Sequence, residues 1–178
     1  LVAITCLTPN CYEAYTIAKK FKHHGSKVIL GGPHVSNFPG EALEYCDSVV
    51  IGEAEAVWEE IVRDYENGRL KPVYSRQPEP EHYERAYQGL LSAPPHIIRH
   101  NLETTSGCKF KCDFCAIPGL FDGRVRNTPV AYVIELIKMI LPRYKHVTFI
   151  DNNIYSDPGY ARELFKALKP LRIHWSSQ

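Results

Sequence analysis

Three cysteines, Cys108, Cys112 and Cys115, stand within eight residues in the spacing C-x3-C-x2-C. A single loop bearing sulfurs at that spacing can wrap one face of a cubic iron–sulfur cluster. Four cysteines would close a four-iron cluster. Three leave one iron without a protein ligand, and an open position on a metal is where a substrate or cofactor binds. Other readings of the thiols stay open. Structural zinc takes four closed ligands, often two CxxC pairs, but no second pair is present and His96 and His100 both precede the motif. The thiols could also be ordinary free cysteines. A disulfide framework needs a secreted, loop-rich chain, which this one does not look like.

The elements that must position such a loop can be read from the periodicity. From residue 96 onward, Ile97–Thr105 reads as a strand that runs straight into the cysteines. Thr128-Pro129 reads as a helix start, with Val130, Val133, Ile134, Ile137 and Leu141 on one face and Pro142 as its end. His146–Ile150 is a second strand, with Asp151-Asn152-Asn153 at its carboxyl end. Asp157-Pro158 starts a further helix, and Leu171–Trp175 is a third strand. The order is therefore strand, cysteine loop, helix, strand, polar turn, helix, strand. In open α/β sheets and barrels, ligands gather at the carboxyl ends of the strands. The cysteine loop and the Asp151 turn should then share one rim.

Residues 1–68 give the same alternation. Leu1–Leu7, Lys27–Leu30 and Ser48–Ile51 read as strands, Leu1–Leu7 as a buried one. Tyr12–His24 and an amphipathic stretch bearing Ala54, Trp58, Ile61, Val62 and Tyr65 read as helices, and Glu41–Tyr45 as one or two helical turns. Strands alternating with helices predict a parallel sheet of βαβ units. Residues 69–95, interrupted by Pro72, Pro78, Pro80, Pro94 and Pro95, read as an extended connection between two domains. Their tyrosines leave an ordered, packed loop as the alternative.

A net charge of +1 gives no field that would attract nucleic acid or an anionic membrane. No apolar run approaches the ~20 residues of a membrane span. Six cysteines without a signal peptide fit a reducing cytosol, so a cytoplasmic location is expected. The chain begins at Leu1, without methionine, in one strand-like run and ends at Gln178 just after another. Both ends look cut, so a fragment of a longer protein, prone to self-associate through open strand edges, is expected.

The cysteine motif, with Phe114 directly before its third thiol, resembles the signature of the radical S-adenosylmethionine (SAM) superfamily. The resemblance implies a [4Fe-4S] cluster on Cys108, Cys112 and Cys115 whose open iron is chelated by the amino and carboxylate groups of SAM. The reduced cluster then cleaves SAM to a 5′-deoxyadenosyl radical. It implies that Phe114 lies near the adenine. It also implies that the turn after the second strand, often Gly-Gly-Glu in the family, meets the SAM amino group. Here that turn is Asp151-Asn152-Asn153, which makes Asp151 and Asn152 SAM-binding candidates. The order from residue 96 resembles the first three strands (βαβαβ) of the radical SAM partial TIM barrel, about half of that domain.

Thr5-Cys6-Leu7 followed by Gly31-Gly32 resembles the Ser-x-Leu and Gly-Gly elements of cobalamin-binding domains. Gly31-Gly-Pro-His-Val, Cys46-Asp47 and Ile51-Gly-Glu-Ala-Glu55 extend the likeness. Residues 1–68 then resemble the later half of a Rossmann-like cobalamin domain, with Thr5, Leu7, Gly31 and Gly32 as cobalamin-binding candidates. The Asp-x-His-x-x-Gly loop that supplies a cobalt ligand in many such domains is absent from this sequence. Together these likenesses imply a cobalamin-dependent radical SAM enzyme, with methyl transfer to an unactivated carbon as the expected reaction. A rearrangement or cyclisation with the same cofactors, or a zinc-binding interaction module, is the alternative. The expected partners are a small-molecule or lipid-like substrate and an electron donor such as flavodoxin or ferredoxin. Cys6 and Cys46 read as buried small hydrophobes, His34 as a turn residue, and Glu53 and Glu55 as helix-capping acids. Arg124 and Arg126 follow the cluster loop and either fix an anionic group or solvate it.

Overall fold

The computed structural model describes residues 1–94, 100–121 and 123–177, and the side chains of all of these but 80 and 81. The chain divides into two compact units, Leu1–Glu84 and Arg85–Gln178. Both are α/β and built on parallel strands. Among the described residues no helix is long and apolar enough to cross a membrane.

The first unit carries strands β1 (Val2–Thr5), β2 (Val28–Gly31), β3 (Ser48–Ile51) and β4 (Val73–Ser75), all parallel and in the order β1-β2-β3-β4. Helices α1 (Cys11–His23), α2 (Pro33–Asn37), α3 (Pro39–Leu43) and α4 (Trp58–Glu66) pack on it. Successive side chains of a strand point to opposite faces. Val28, Leu30 and Val49 therefore meet Ala14, Tyr15, Ala18 and Val35 on one side, while Ile29, Val50 and Tyr74 meet Val57 and Ile61 of the α4 segment on the other. Burial on both faces is why β2 and β3 read as continuous apolar runs. β1 differs from the expected buried strand: Val2 and Ile4 are half-buried against the core, but Ala3 and Thr5 are exposed. It is the edge of the sheet and is covered on one face only.

The segment 69–95 also departs from the extended reading. It holds β4 and a helix, α5 (Pro80–Ser92). Pro72 directly precedes β4 and Pro80 opens α5, and a proline at the first helical position costs no hydrogen bond. Buried Tyr74 donates to buried Asp64 at 3.0 Å, so this tyrosine anchors the stretch to the first unit's α4.

The second unit contains β5 (Asn101–Leu102), β6 (Thr105–Gly107), α6 (Ile117–Phe121), β7 (Val125–Asn127), α7 (Val130–Ile140), β8 (His146–Phe149), α8 (Pro158–Leu168) and β9 (His174–Ser177). Parallel strands run in the order β5-β8-β9, and β6 and β7 form a separate antiparallel pair. The core packs Val133, Leu136, Ile137 and Ile140 of α7 and Leu164 and Leu168 of α8 against Leu102, Val147 and Phe149. The expected strand over Ile97–Thr105 is broken into β5 and β6, and its part at 97–99, like His96, lies outside the described residues. The third strand starts later than expected, because Lys169–Leu171 forms a 3-10 turn and Arg172 adopts a left-handed backbone at φ 49°. Leu171 and Ile173 still pack on the core, so their apolar character marks burial without marking the strand.

Candidate functional site

The cysteine loop is closed at its base by the β6–β7 pair, in which Thr105 faces Asn127 and Gly107 faces Val125. Cys108 follows Gly107 at the end of β6 and is half-buried; Cys112 is exposed and Cys115 half-buried. The Cys115 N–H donates to the Cys112 carbonyl at 3.0 Å, so the second and third cysteines share one tight turn, and α6 follows it. All three thiols are free. Among the described residues no three His, Cys, Asp or Glu side chains are gathered as a ready metal site. The donor set is nevertheless of the right kind: three soft sulfurs, the ligand class that takes iron–sulfur clusters, on one loop fixed at both ends. Phe114 is 93% exposed and makes its face available to a ligand.

Gly107 is the residue that lets the loop close. It sits at φ +81°, and a Cβ there would lie 2.0 Å from the Arg124 carbonyl oxygen. The chain crosses itself at that point, and only a glycine permits the approach. Sequence reasoning passed over Gly107, although a glycine directly before a ligand cysteine and after a strand is a fair signal of a strained turn.

The turn after β8 meets this loop, as expected from their common rim. Asp151 is fully buried, at 0% exposure. Its carboxylate accepts the Thr104 N–H at 2.6 Å, the Thr105 N–H and the Thr104 hydroxyl at 3.1 Å. Burial pushes the Asp151 carboxyl above the ordinary range, and the donors from Thr105 and Thr104 offset this only in part. Asn152 Oδ1 accepts the Gly107 N–H at 3.0 Å. Both side chains thus work on the backbone that delivers Cys108, and in this arrangement the Asp151 carboxylate is turned to the chain, away from any ligand.

Around Cys108, desolvation raises the thiol pKa. The Phe110 backbone, the side chains of Ser156 and Asn153 and the Lys109 charge more than cancel this, leaving it below the usual thiol range. On the outer side, Asp157 caps α8 by accepting from Gly159 and Tyr160 N–H, and its second oxygen accepts from Asn127 Nδ2 at 2.7 Å. The helix that follows β8 is in this way tied to the strand that closes the cysteine loop. Arg124 is exposed, and Arg126 lies on β7 opposite Ser106.

Replacing Asp151 with Ala should be costly. Two buried N–H groups and a hydroxyl would lose their acceptor, at about 1–3 kcal/mol for each group left unsatisfied. For a unit of this size each kcal/mol lowers the thermal midpoint by roughly 4–8 °C. Thermal melting followed by circular dichroism should show a fall of ten degrees or more; an unchanged midpoint would show that the buried network carries no weight.

In the first unit, Thr5, Leu7, Gly31 and Gly32 do come together at the carboxyl ends of β1 and β2, with Thr5 in register with Gly31. Gly32 does not form an open cradle. Gly32 has φ +96°, and a Cβ on it would meet the Cys6 backbone at 2.9–3.0 Å and Thr5 Cγ2 at 3.0 Å. The chain itself fills the space that the glycine leaves. Exposed Thr5 and Leu7 remain as the surfaces a ligand could touch. His34, expected in a turn, is buried within α2, with Nδ1 3.1 Å from Thr8 Oγ1 and Nε2 3.6 Å from Glu41 Oε1. Glu53 makes no cap and accepts from Tyr83 at 2.7 Å. Cys6 and Cys46 are buried, as read from the sequence.

No family model matches the chain. It is similar to the bacteriochlorophyllide d C-12(1)-methyltransferase of Chlorobaculum tepidum, with 31% identity over 99% of this chain and 41% of that protein. The bacteriochlorophyllide d C-8(2)-methyltransferase of the same organism is 34% identical over 70% of this chain and 29% of its own length. The hopanoid C-2 methylase of Rhodopseudomonas palustris is 26% identical over 85% of this chain and 29% of its own length. The chain spans less than half the length of these relatives.

Proposed function

We propose that this chain is the part of a radical SAM methyl-transferring enzyme that holds the [4Fe-4S] cluster. One observation carries the reading: three thiols stand on a single loop whose base is closed by β6–β7 and whose first cysteine is delivered by backbone pinned to the turn after β8. The similarity to proteins named as methyltransferases gives the direction of the chemistry. Cys108, Cys112 and Cys115 would hold three irons and leave the fourth for SAM. When bound, the cluster supplies the electron that cleaves SAM to the 5′-deoxyadenosyl radical.

The chain's own residues have narrower tasks. Asp151 and Asn152 hold Thr104, Thr105 and Gly107 in place, so that Cys108 is presented in one geometry. Phe114 would offer an exposed aromatic face to the adenine, and Asn152, whose Oδ1 accepts the Gly107 N–H, is the polar side chain of the turn proposed to meet SAM. Exposed Phe110 and Tyr155 add apolar surface, which would suit a small-molecule or lipid-like substrate. The electron would come from a separate carrier such as flavodoxin or ferredoxin. Release of 5′-deoxyadenosine from SAM by the full-length protein, under reducing anaerobic conditions, tests the activity; its absence from a cluster-loaded protein would overturn it.

The first unit is read as the later half of a Rossmann-like cobalamin domain and the second as the start of a partial barrel. Because Gly32 is packed by the chain itself, this chain should bind cobalamin weakly or not at all. Titration followed by absorbance checks this, and tight, saturable binding would show that Thr5, Leu7, Gly31 and Gly32 suffice for a site.

A further inference from the structure

The turn between β8 and α8 is fastened at both of its ends to the β6–β7 pair. At its start, Asp151 holds the Thr104 and Thr105 N–H groups, and Asn152 holds the Gly107 N–H. Those contacts are made on the β6 side. At its end the turn is held from β7: Asn127 Nδ2 donates to Asp157 Oδ2 at 2.7 Å, across thirty residues of chain. Between the two fastenings the turn braces itself. Asn153 accepts the Tyr155 N–H on its side chain at 2.9 Å and the Ser156 N–H on its carbonyl at 3.0 Å. Ile154 is buried in the core of the unit. A turn braced in this way moves with whatever holds its ends.

The Asn127 amide is matched to its two neighbours. Its Oδ1 lies 3.4 Å from the hydroxyl of Thr105, its fully buried cross-strand partner. Its Nδ2 is then the donor that a carboxylate needs, and a hydrogen bond to a charged acceptor is about twice as strong as a neutral one. The other Asp157 oxygen is taken by the Gly159 and Tyr160 N–H groups at the start of α8. One side chain thus joins the strand pair, the turn and the helix start.

We propose that Asn127 is a positioning residue for SAM: it holds the turn 151–157 in register with the loop of the three cysteines. This rests on the reading of that loop as the cluster site and of that turn as meeting SAM, and it adds a residue that acts through Asp157. Without the Asn127–Asp157 bond the turn stays fixed at Asp151 while its far end can drift. It is then in its binding place for only part of the time, and the apparent affinity for SAM falls by that fraction. The thiols and Gly107 are untouched, so the loop still takes up iron.

The test uses the 178-residue chain, anaerobically reconstituted as wild type, Asn127→Ala, Asn127→Asp, and the reversed pair that combines Asn127→Asp with Asp157→Asn. Three quantities are measured for each: iron content, thermal midpoint, and the SAM concentration that half-saturates the change in the EPR signal of the reduced cluster. In Asn127→Ala the iron should match wild type. The half-saturating SAM concentration should rise about tenfold, the order by which one hydrogen bond to a charged group biases the turn towards its fixed place. Asn127→Asp sets two carboxylates against each other and should bind SAM no better. The reversed pair should recover most of the wild-type response, because its new amide can donate across the same gap while its oxygen still caps α8. A fully loaded Asn127→Ala with wild-type half-saturation overturns the proposal. So does a reversed pair that regains iron and thermal midpoint without the SAM response, since Asn127 would then serve the fold alone. Iron lost in both single variants and regained in the reversed pair supports the tie, acting on the loop itself; iron lost in all three overturns it. A wild type that takes up no iron, or whose loaded cluster ignores SAM, overturns the cluster reading itself and shows before any variant is compared.

Discussion

Anaerobically reconstituted chain is expected to take up about four irons, and replacing Cys108, Cys112 and Cys115 together by Ala should reduce that to background. The expectation rests on donor chemistry. Cys6, Cys11 and Cys46 are buried in the core of the first unit, and burial pushes the Cys6 and Cys46 thiols up, away from the thiolate that ligates metal. Of the loop's cysteines Cys112 is exposed and Cys108 and Cys115 are half-buried, and Cys108 has polar neighbours that favour its thiolate. Single replacements should each remove most of the iron, since two thiols on one loop cannot hold a cubic cluster by themselves. Iron and sulfide analysis reads the result directly. Iron that survives the triple replacement, or zinc in its place, would sink the assignment.

Gly107→Ala should have nearly as large an effect while leaving every thiol in place. The added Cβ would lie 2.0 Å from the Arg124 oxygen, 3.1 Å from its carbonyl carbon and 3.3 Å from Phe121 Cβ. The first two are backbone atoms, which cannot swing aside as the tip of a side chain does. Left-handed backbone adds about 1–2 kcal/mol for a residue with a Cβ, and forcing atoms into a packed place adds about 1–3 kcal/mol more. Together these are a large share of a stability of about 5–15 kcal/mol. The least costly relief is to part β6 from β7, which opens the base of the loop and scatters the three sulfurs. Iron uptake should fall to a small fraction of wild type. Gly123→Ala is the matched control: it also has positive φ, at +67°, but a Cβ there meets nothing within 4 Å. It should keep its iron. Equal iron in Gly107→Ala and wild type would mean that the loop does not depend on this crossing.

The parts of this site that were legible in the sequence are those whose signal is local. The cysteines declare themselves by residue type and spacing. α7 and α8 follow from apolar periodicity, and the start of α8 from Asp157-Pro158, whose cap is observed. The rest depends on partners far along the chain. β6 is Thr-Ser-Gly, with no apolar alternation, and becomes a strand only because Val125–Asn127 pairs with it. Asp151 has the look of a ligand-binding carboxylate at a strand end; that it is spent on Thr104, 47 residues away, cannot be seen in its neighbours. α5 was hidden by prolines that mark its boundary and leave its interior intact. In the first unit, Gly31-Gly32 was read through its resemblance to a cofactor loop, whereas the structure gives Gly32 a packing reason of its own.

The central claim is that three thiols hold a cluster and leave one iron open for SAM. Low-temperature EPR of the reduced, reconstituted chain, recorded before and after addition of SAM, tests it most directly. The predicted result is a reduced [4Fe-4S] signal that changes shape and saturates as SAM is added, because SAM enters the coordination of the open iron. A cluster signal that SAM leaves unaltered, or a reduced chain with no such signal, would contradict it.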